Sequence, residues 1–250
     1  MNPSEILEVC AERSAFVRAN SLRWSPARGE LSERAGFVQT ESGALIGIGD
    51  VPELTRLIDD SSIEAATFAL VPIGMLEYAG TMMRERFRLV GSGPDAGAWD
   101  WMYTRDLPPV TPGEEYVVPL EGRFDEIAEA IAVANPETSA AENLAEHEWW
   151  GYQRNDRLLG VCGIDNYGVE PGTPDGTRYG IHLSGLGTRP EARRQGVGSA
   201  MMAAITRHFV GEFGLVHYGV WSNNGSALRV YRRLGYSTAA QIQNFAPAAA

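Results

Sequence analysis

Ile181-His-Leu-Ser-Gly-Leu-Gly-Thr-Arg-Pro190, Arg193-Arg-Gln-Gly196-Val-Gly198 and Val220-Trp-Ser-Asn-Asn224-Gly-Ser-Ala227-Leu-Arg-Val-Tyr231-Arg-Arg-Leu-Gly235-Tyr236 decide how this chain is read. In order they spell a strand, a glycine-bearing turn into a helix, a second strand, and a helix with Asn224 at its start and Gly235 at its end. Gly196 and Gly198 let a ligand come close to the backbone. Val197, Met201, Ile205 and Phe209 recur at i, i+4 and hold the following helix against a sheet. The N–H groups of residues 194 to 199 then point out of a helix N-terminus, where hydrogen bonds and the macrodipole both favour a diphosphate. Arg193 and Arg194 add positive charge.

Taken alone, such a turn fits ordinary loop chemistry as well as ligand binding. The dinucleotide fingerprint Gly-x-Gly-x-x-Gly is incomplete, since Met201 stands at the third glycine position, and a P-loop lysine is impossible in a chain without lysine.

Upstream of this stretch, a helix is expected from Ser4, as N-cap, through about Ala19. Gly36–Thr40 and Ala44–Ile48 read as a hairpin, and a short helix follows Asp50-Val-Pro52. Ala65–Val71 is expected as a strand, Ile73–Arg86 as a helix, and Phe87–Val90 and Trp99–Thr104 as strands. Arg105 to Gly113 holds three prolines and a glycine in nine residues and is the linker candidate. It divides the chain into an N-terminal α/β domain, 1-110, and a second domain, 114-245.

Beyond the linker, Glu115–Leu120 reads as a strand and Phe124–Ala134 as a helix stopped at Asn135-Pro136. Ser139-Ala-Ala-Glu142 has the form of a capping box opening a helix that ends near His147. Trp149–Gln153 and Leu158–Asp165 read as a hairpin, Asn166–Gly180 as a loop, and Tyr236 to about Phe245 as a last strand.

With 250 residues, one or two domains are expected. The net charge of -11 argues against a nucleic-acid partner, because phosphate binding needs clustered cations. No secretory or membrane-spanning segment is evident, and Cys10 and Cys162 make no disulfide framework, so a cytoplasmic protein with no membrane partner is expected. No spacing of His147, His208 or His217 supports a metal site, so no metal is expected.

Arg193-x-x-Gly196-x-Gly198, the order of elements and the spacing of Asn224, Ala227, Tyr231 and Gly235-Tyr236 resemble the GNAT superfamily of acyl-CoA N-acyltransferases over about residues 114 to 245. The resemblance implies an α/β fold with a mixed sheet and acetyl-CoA as acyl donor. It implies a primary-amine acceptor, small molecule or protein N-terminus, attacking directly in a ternary complex, in a monomer or homodimer. Backbone groups of Leu186, Gly187 and Thr188 on a splayed strand would pair with the acyl and pantetheine portion. Arg193, Arg194, Gln195, Gly196, Val197, Gly198 and Ser199 would hold the pyrophosphate, and Asn224 and Ala227 the pantetheine arm. Tyr231 would meet the departing thiolate.

His182 falls where the family often places a basic carboxylate, and imidazole suits that role near neutral pH. Asp165, Glu170 and Asp175, or a water relay, are its alternatives. Each assignment has a structural competitor: Asn224 as an N-cap, Tyr231 as a core tyrosine, Gly235 as a left-handed C-cap. A non-catalytic acyl-CoA-binding regulatory module is the rival function, and acceptor specificity is expected in residues 122 to 148 and 166 to 180.

Residues 65 to 104 echo the strand-helix-strand order of 215 to 245, with Met75 on Asn224, Met82 on Tyr231 and Phe87 on Tyr236. That suggests a degenerate second copy, lacking the two-glycine turn. After Phe245 the chain lacks the last strand of many relatives, a place that a strand such as Trp99–Thr104 could fill.

Overall fold

The computed structural model describes residues 1–61, 63, 66–78, 87–90 and 96–247. The chain forms two compact units that are not successive in sequence. The first comprises Met1–Trp101, Gly219–Gly225 and Thr238–Ala250, and the second Met102–Tyr218 and Ser226–Ser237.

In the first unit, α1 (Pro3–Arg13) and α2 (Ala15–Asn20) replace the single expected helix. Asn2, not Ser4, caps α1 in a reciprocal box with Glu5, and Ser14 breaks the helix by turning extended and accepting from Val17 N. Strands β1 (Pro26–Leu31), β2 (Ala35–Thr40) and β3 (Ala44–Gly49) form an antiparallel meander, with the expected hairpin between β2 and β3. Asp50 caps α3 (Val51–Asp60), which crosses over to β4 (Phe68–Pro72), parallel to β3.

Helix α4 covers Met75–Tyr78, and the remainder of the expected helix to Arg86, with Met82, lies outside the described residues. β5 (Phe87–Leu89) and β4 both pair antiparallel with β12 (Ser237–Pro247). Phe37, Leu45, Leu54, Ile58, Val71 and Phe245 are buried together as the core. Within β6 (Ala98–Thr104), Asp100 is buried but accepts from Ser222, Thr238 and Gln241 side chains.

The second unit is built on β7 (Val117–Pro119), β8 (Glu148–Arg154), β9 (Arg157–Asp165) and β10 (Ile181–Thr188), neighbours in antiparallel order, with β11 (Val216–Trp221) parallel to β10. Glu114–Tyr116 is a 3-10 turn, which shortens the strand expected from Glu115. Asn155 and Asp156, both at positive φ, make the tight β8–β9 turn.

On one sheet face, α5 (Phe124–Ala134) packs Ile127 and Ile131 with Trp149 and Val161. On the other lies α7 (Val197–Phe213), whose Met201 sits over Gly160. Consecutive strand residues face opposite ways, so Val161 and Gly160 serve the two helices in turn.

Two expectations in the second unit are corrected. Ser139–Ala141 is a 3-10 turn capped by Thr138, and Leu144–Glu146 is another, because Thr138 accepts from Ala140 N before Ser139 can open a helix. The loop 166 to 180 carries a helix, α6 (Pro174–Tyr179), capped by Thr173 and closed by Gly180. Finally, β6 is the neighbour of β11. In the first unit Ser222 N donates to Ala98 O, and in the second the Tyr218 hydroxyl donates to Met102 Sδ at 3.6 Å, so the strand named for the vacant place does occupy it.

Candidate active site

β10 pairs with β11 only at Ile181–Val216 and His182–His217, and beyond them the two strands part. On its other edge the β10–β9 register jumps between Ser184 and Gly187. Gly185, at φ +60, makes this bulge, and a side chain there would also press on Ala140 and Ile131. Asn135, which ends α5, donates from Nδ2 to Leu186 O at 3.1 Å. The carbonyl of Leu186 is therefore already engaged, and Thr188 O likewise accepts from Arg193 Nε at 3.1 Å. Of the expected backbone contacts on this strand, these two carbonyls serve the protein itself.

Between β10 and α7 the chain makes a tight turn with Arg194 at φ +62 and Gly196 at φ +85. The turn starts α7 from a left-handed N-cap with no side-chain cap, leaving the helix N-terminal donors turned outward. A Cβ added to Gly198 would meet only Thr188 Oγ1 at 3.5 Å, so packing does not demand glycine there. The open space above its Cα is what a closely approaching diphosphate requires.

Side chains of the turn divide by role. Arg193 folds back onto Thr188 O and Ala134 O, and Gln195 onto Glu191 O, so both brace the loop. Arg194 is exposed and its guanidinium has no partner among the described residues. Val197 is buried as the first anchor of α7. Ser199 Oγ accepts from Arg233 at 3.1 Å. Arg233 and the segment Pro109–Pro112 line a cleft of about 440 Å³ with Gln195, Gly196 and Ser199. Neither was identified as part of a site from the sequence: Pro109–Pro112 falls in the linker candidate, and no pattern places residue 233 beside residue 199.

α8 (Gly225–Arg233) begins directly after Asn224 and carries Ala227 in its first turn. Its end is a Schellman motif, with Tyr236 N donating to Tyr231 O, Gly235 N to Arg232 O, and Gly235 at φ +92. This motif fixes Tyr231, whose ring stands edge-on to Tyr218 with centroids 4.5 Å apart. Tyr231 is only 7% exposed, yet its hydroxyl has no hydrogen-bond partner among the described residues, unlike a satisfied core tyrosine. Burial, with a smaller contribution from Cys162, pushes its phenol well above the ordinary range, so it stays protonated.

His182 is half-buried on β10 and its Nδ1 lies 3.2 Å from Nδ1 of the fully buried His217. Its partner across β9 is Asp165. Asp165 ends β9, as the expected hairpin has it, is 8% exposed, and accepts from Tyr167 and bonds His147 Nδ1. Glu170 and Asp175 are exposed. Trp149 and Trp101 are core residues. Among the described residues no three His, Cys, Asp or Glu side chains converge as a metal site.

Residues 115–236 match the family described as Acetyltransferase (GNAT) family. Among solved structures, a GCN5-related N-acetyltransferase from Kribbella flavida is 17% identical, with a TM-score of 0.56, over 95% of this chain and 96% of that one. A Drosophila protein, 14% identical, has a TM-score of 0.58 over 99% and 90%. A GNAT-family acetyltransferase from Colwellia psychrerythraea, 16% identical, has a TM-score of 0.52 over 88% and 84%. These likenesses concern the fold, a mixed α/β architecture. No curated protein matches this chain in sequence.

Proposed function

We propose that this protein, whose residues 115–236 match the GNAT family, transfers an acyl group, most simply acetyl, from coenzyme A to a primary amine in a ternary complex. The observation carrying this reading is the turn at 193–199: an uncapped helix N-terminus, a left-handed Gly196, and a Gly198 whose missing side chain leaves room for the diphosphate. Bound acetyl-CoA supplies the activated acyl group. The chain's residues do the rest. N–H groups of Val197, Gly198 and Ser199 and the Arg194 guanidinium hold the diphosphate, with Arg193 and Gln195 bracing the turn. Backbone groups of Leu186, Gly187 and Thr188 that the protein leaves open align the acyl arm, and Ala227 borders the pantetheine.

His182 accepts the amine proton as nitrogen bonds to the acyl carbon and the C–S bond breaks. Tyr231 donates a hydrogen bond to the departing sulfur. Its raised pKa suits a donor that keeps its own proton, since an ordinary thiol ionises near 8.5, below the phenol. Cys10 and Cys162 are free, buried thiols, which accords with a reducing cytoplasmic setting.

Isothermal titration with acetyl-CoA and thiol release across a panel of small amines and peptide N-termini form the test. Micromolar binding and release with at least one amine are expected, and absence of binding at millimolar acetyl-CoA overturns the reading. The depth of Tyr231 favours the second reading, an acyl-CoA-binding regulatory module. Binding without thiol release from any amine would select it.

A further inference from the structure

The Nδ1–Nδ1 contact of His182 and His217 constrains the chemistry more than His182 alone does. At 3.2 Å the two nitrogens share one hydrogen, so one ring carries it and the other presents a lone pair. If His217 donated, His182 would carry its proton on Nε2 and could take none from an amine there. A basic Nε2 on His182 therefore requires His182 to be the Nδ1–H donor and His217 the acceptor.

The surroundings set an order from outside to inside. His182 is half-buried, His217 is fully buried, and the two rings lie 5.0 Å apart at centroids. Neighbouring residues across a sheet share a face, so Asp165, His182 and His217 form a row over β9, β10 and β11. On the outer side the Asp165 carboxylate is already taken by His147 and Tyr167. His217, in direct contact at 3.2 Å, is placed to hold the His182 ring.

We propose that His217 is a positioning residue for the acyl transfer, accepting from His182 Nδ1 so that His182 Nε2 is the base. The inference rests on the reading of His182 given above. The proton leaves the amine for His182 Nε2 as the amide bond forms. The resulting positive charge stays on the His182 ring, whose Nδ1–H remains bonded to His217. Nothing beyond the amine proton and the departing thiolate enters the balance.

Two measurements on the full chain decide this. In nitrogen-15 imidazole spectra of the wild-type protein, recorded on the alkaline side of the imidazole range so that both rings are neutral, His182 is expected to be protonated at Nδ1 and His217 at Nε2. A His182 protonated at Nε2 overturns the proposal, and this result needs no acceptor and no variant. In kinetics with the amine that supports thiol release, His217→Phe should lower kcat/KM by roughly tenfold or more. His217→Asn, whose Oδ1 can accept in place of Nδ1, should recover most of the loss. Acetyl-CoA affinity should be unchanged in both. Unaltered kinetics in His217→Phe, while His182→Ala is impaired, removes His217 and leaves the reading of His182 intact. An unimpaired His182→Ala removes His182 itself.

Discussion

Tyr231 joins the strongest local evidence to the plainest structural alternative. The Schellman turn and the edge-on contact with Tyr218 would exist in any well-packed core, and what sets Tyr231 apart is a hydroxyl that bonds no group among the described residues. Tyr231→Phe should leave melting temperature and acetyl-CoA affinity close to wild type, and lower kcat by about 10- to 100-fold if the phenol steadies the leaving sulfur. Thiol-release kinetics at saturating acetyl-CoA measure this, and equal rates would return Tyr231 to the core. Its spacing from Asn224 and Gly235 was legible in the sequence. The pairing of His182 with His217 and of His147 with Asp165 was not, because both depend on strand register and join residues 35 and 18 positions apart.

At the scale of elements, the turn between β10 and α7 separates what the fold needs from what a ligand needs. Gly196 is held at φ +85, so Gly196→Ala should cost about 1 kcal/mol whatever binds. Gly198 has no such constraint and meets only Thr188 Oγ1. Gly198→Val should therefore change the urea midpoint little while weakening acetyl-CoA at least tenfold by titration calorimetry, since the new methyl groups stand where the diphosphate would lie. A matched loss of stability and affinity would make this glycine structural.

Helices with clean 3-4 spacing, such as Phe124–Ala134, were readable to the residue. Short capped turns were not: Thr138 and Ser139 are both acceptable caps by residue type, and the structure uses Thr138. The bulge at Gly185 was invisible for the same reason, since strand and bulge share one sequence pattern.

For the molecule as a whole, the buried thiols and phenols predict the response to alkali. In the unfolded chain thiols ionise near pH 8.5 and phenols near 10. Burial pushes Cys10 up to about 11, and Cys162, Tyr231 and Tyr236 higher still. Over that interval the unfolded chain binds fewer protons than the folded one. These groups should therefore leave stability unchanged between about pH 7 and 8 and lower it as pH rises further, approaching about 1.4 kcal/mol per pH unit for each group ionised only on unfolding. Urea midpoints from pH 7 to 11 test this, and Cys162→Ala should flatten the first part of the decline. A midpoint independent of pH across that range would contradict the burial of these groups.

The interlacing of the two units also bears on how the protein is made. β4 is completed by Ile242–Phe245, and the core around Phe37 and Leu45 takes Phe245 from the far end of the chain. A ribosome releases the first hundred residues long before that strand exists, so the nascent N-terminal segment must wait with an open sheet edge. Translation order and folding order are thus opposed in this half of the protein. Residues 1–110 made alone should be aggregation-prone and protease-sensitive, and supplying residues 237–247 at the end of that fragment should restore resistance to limited proteolysis.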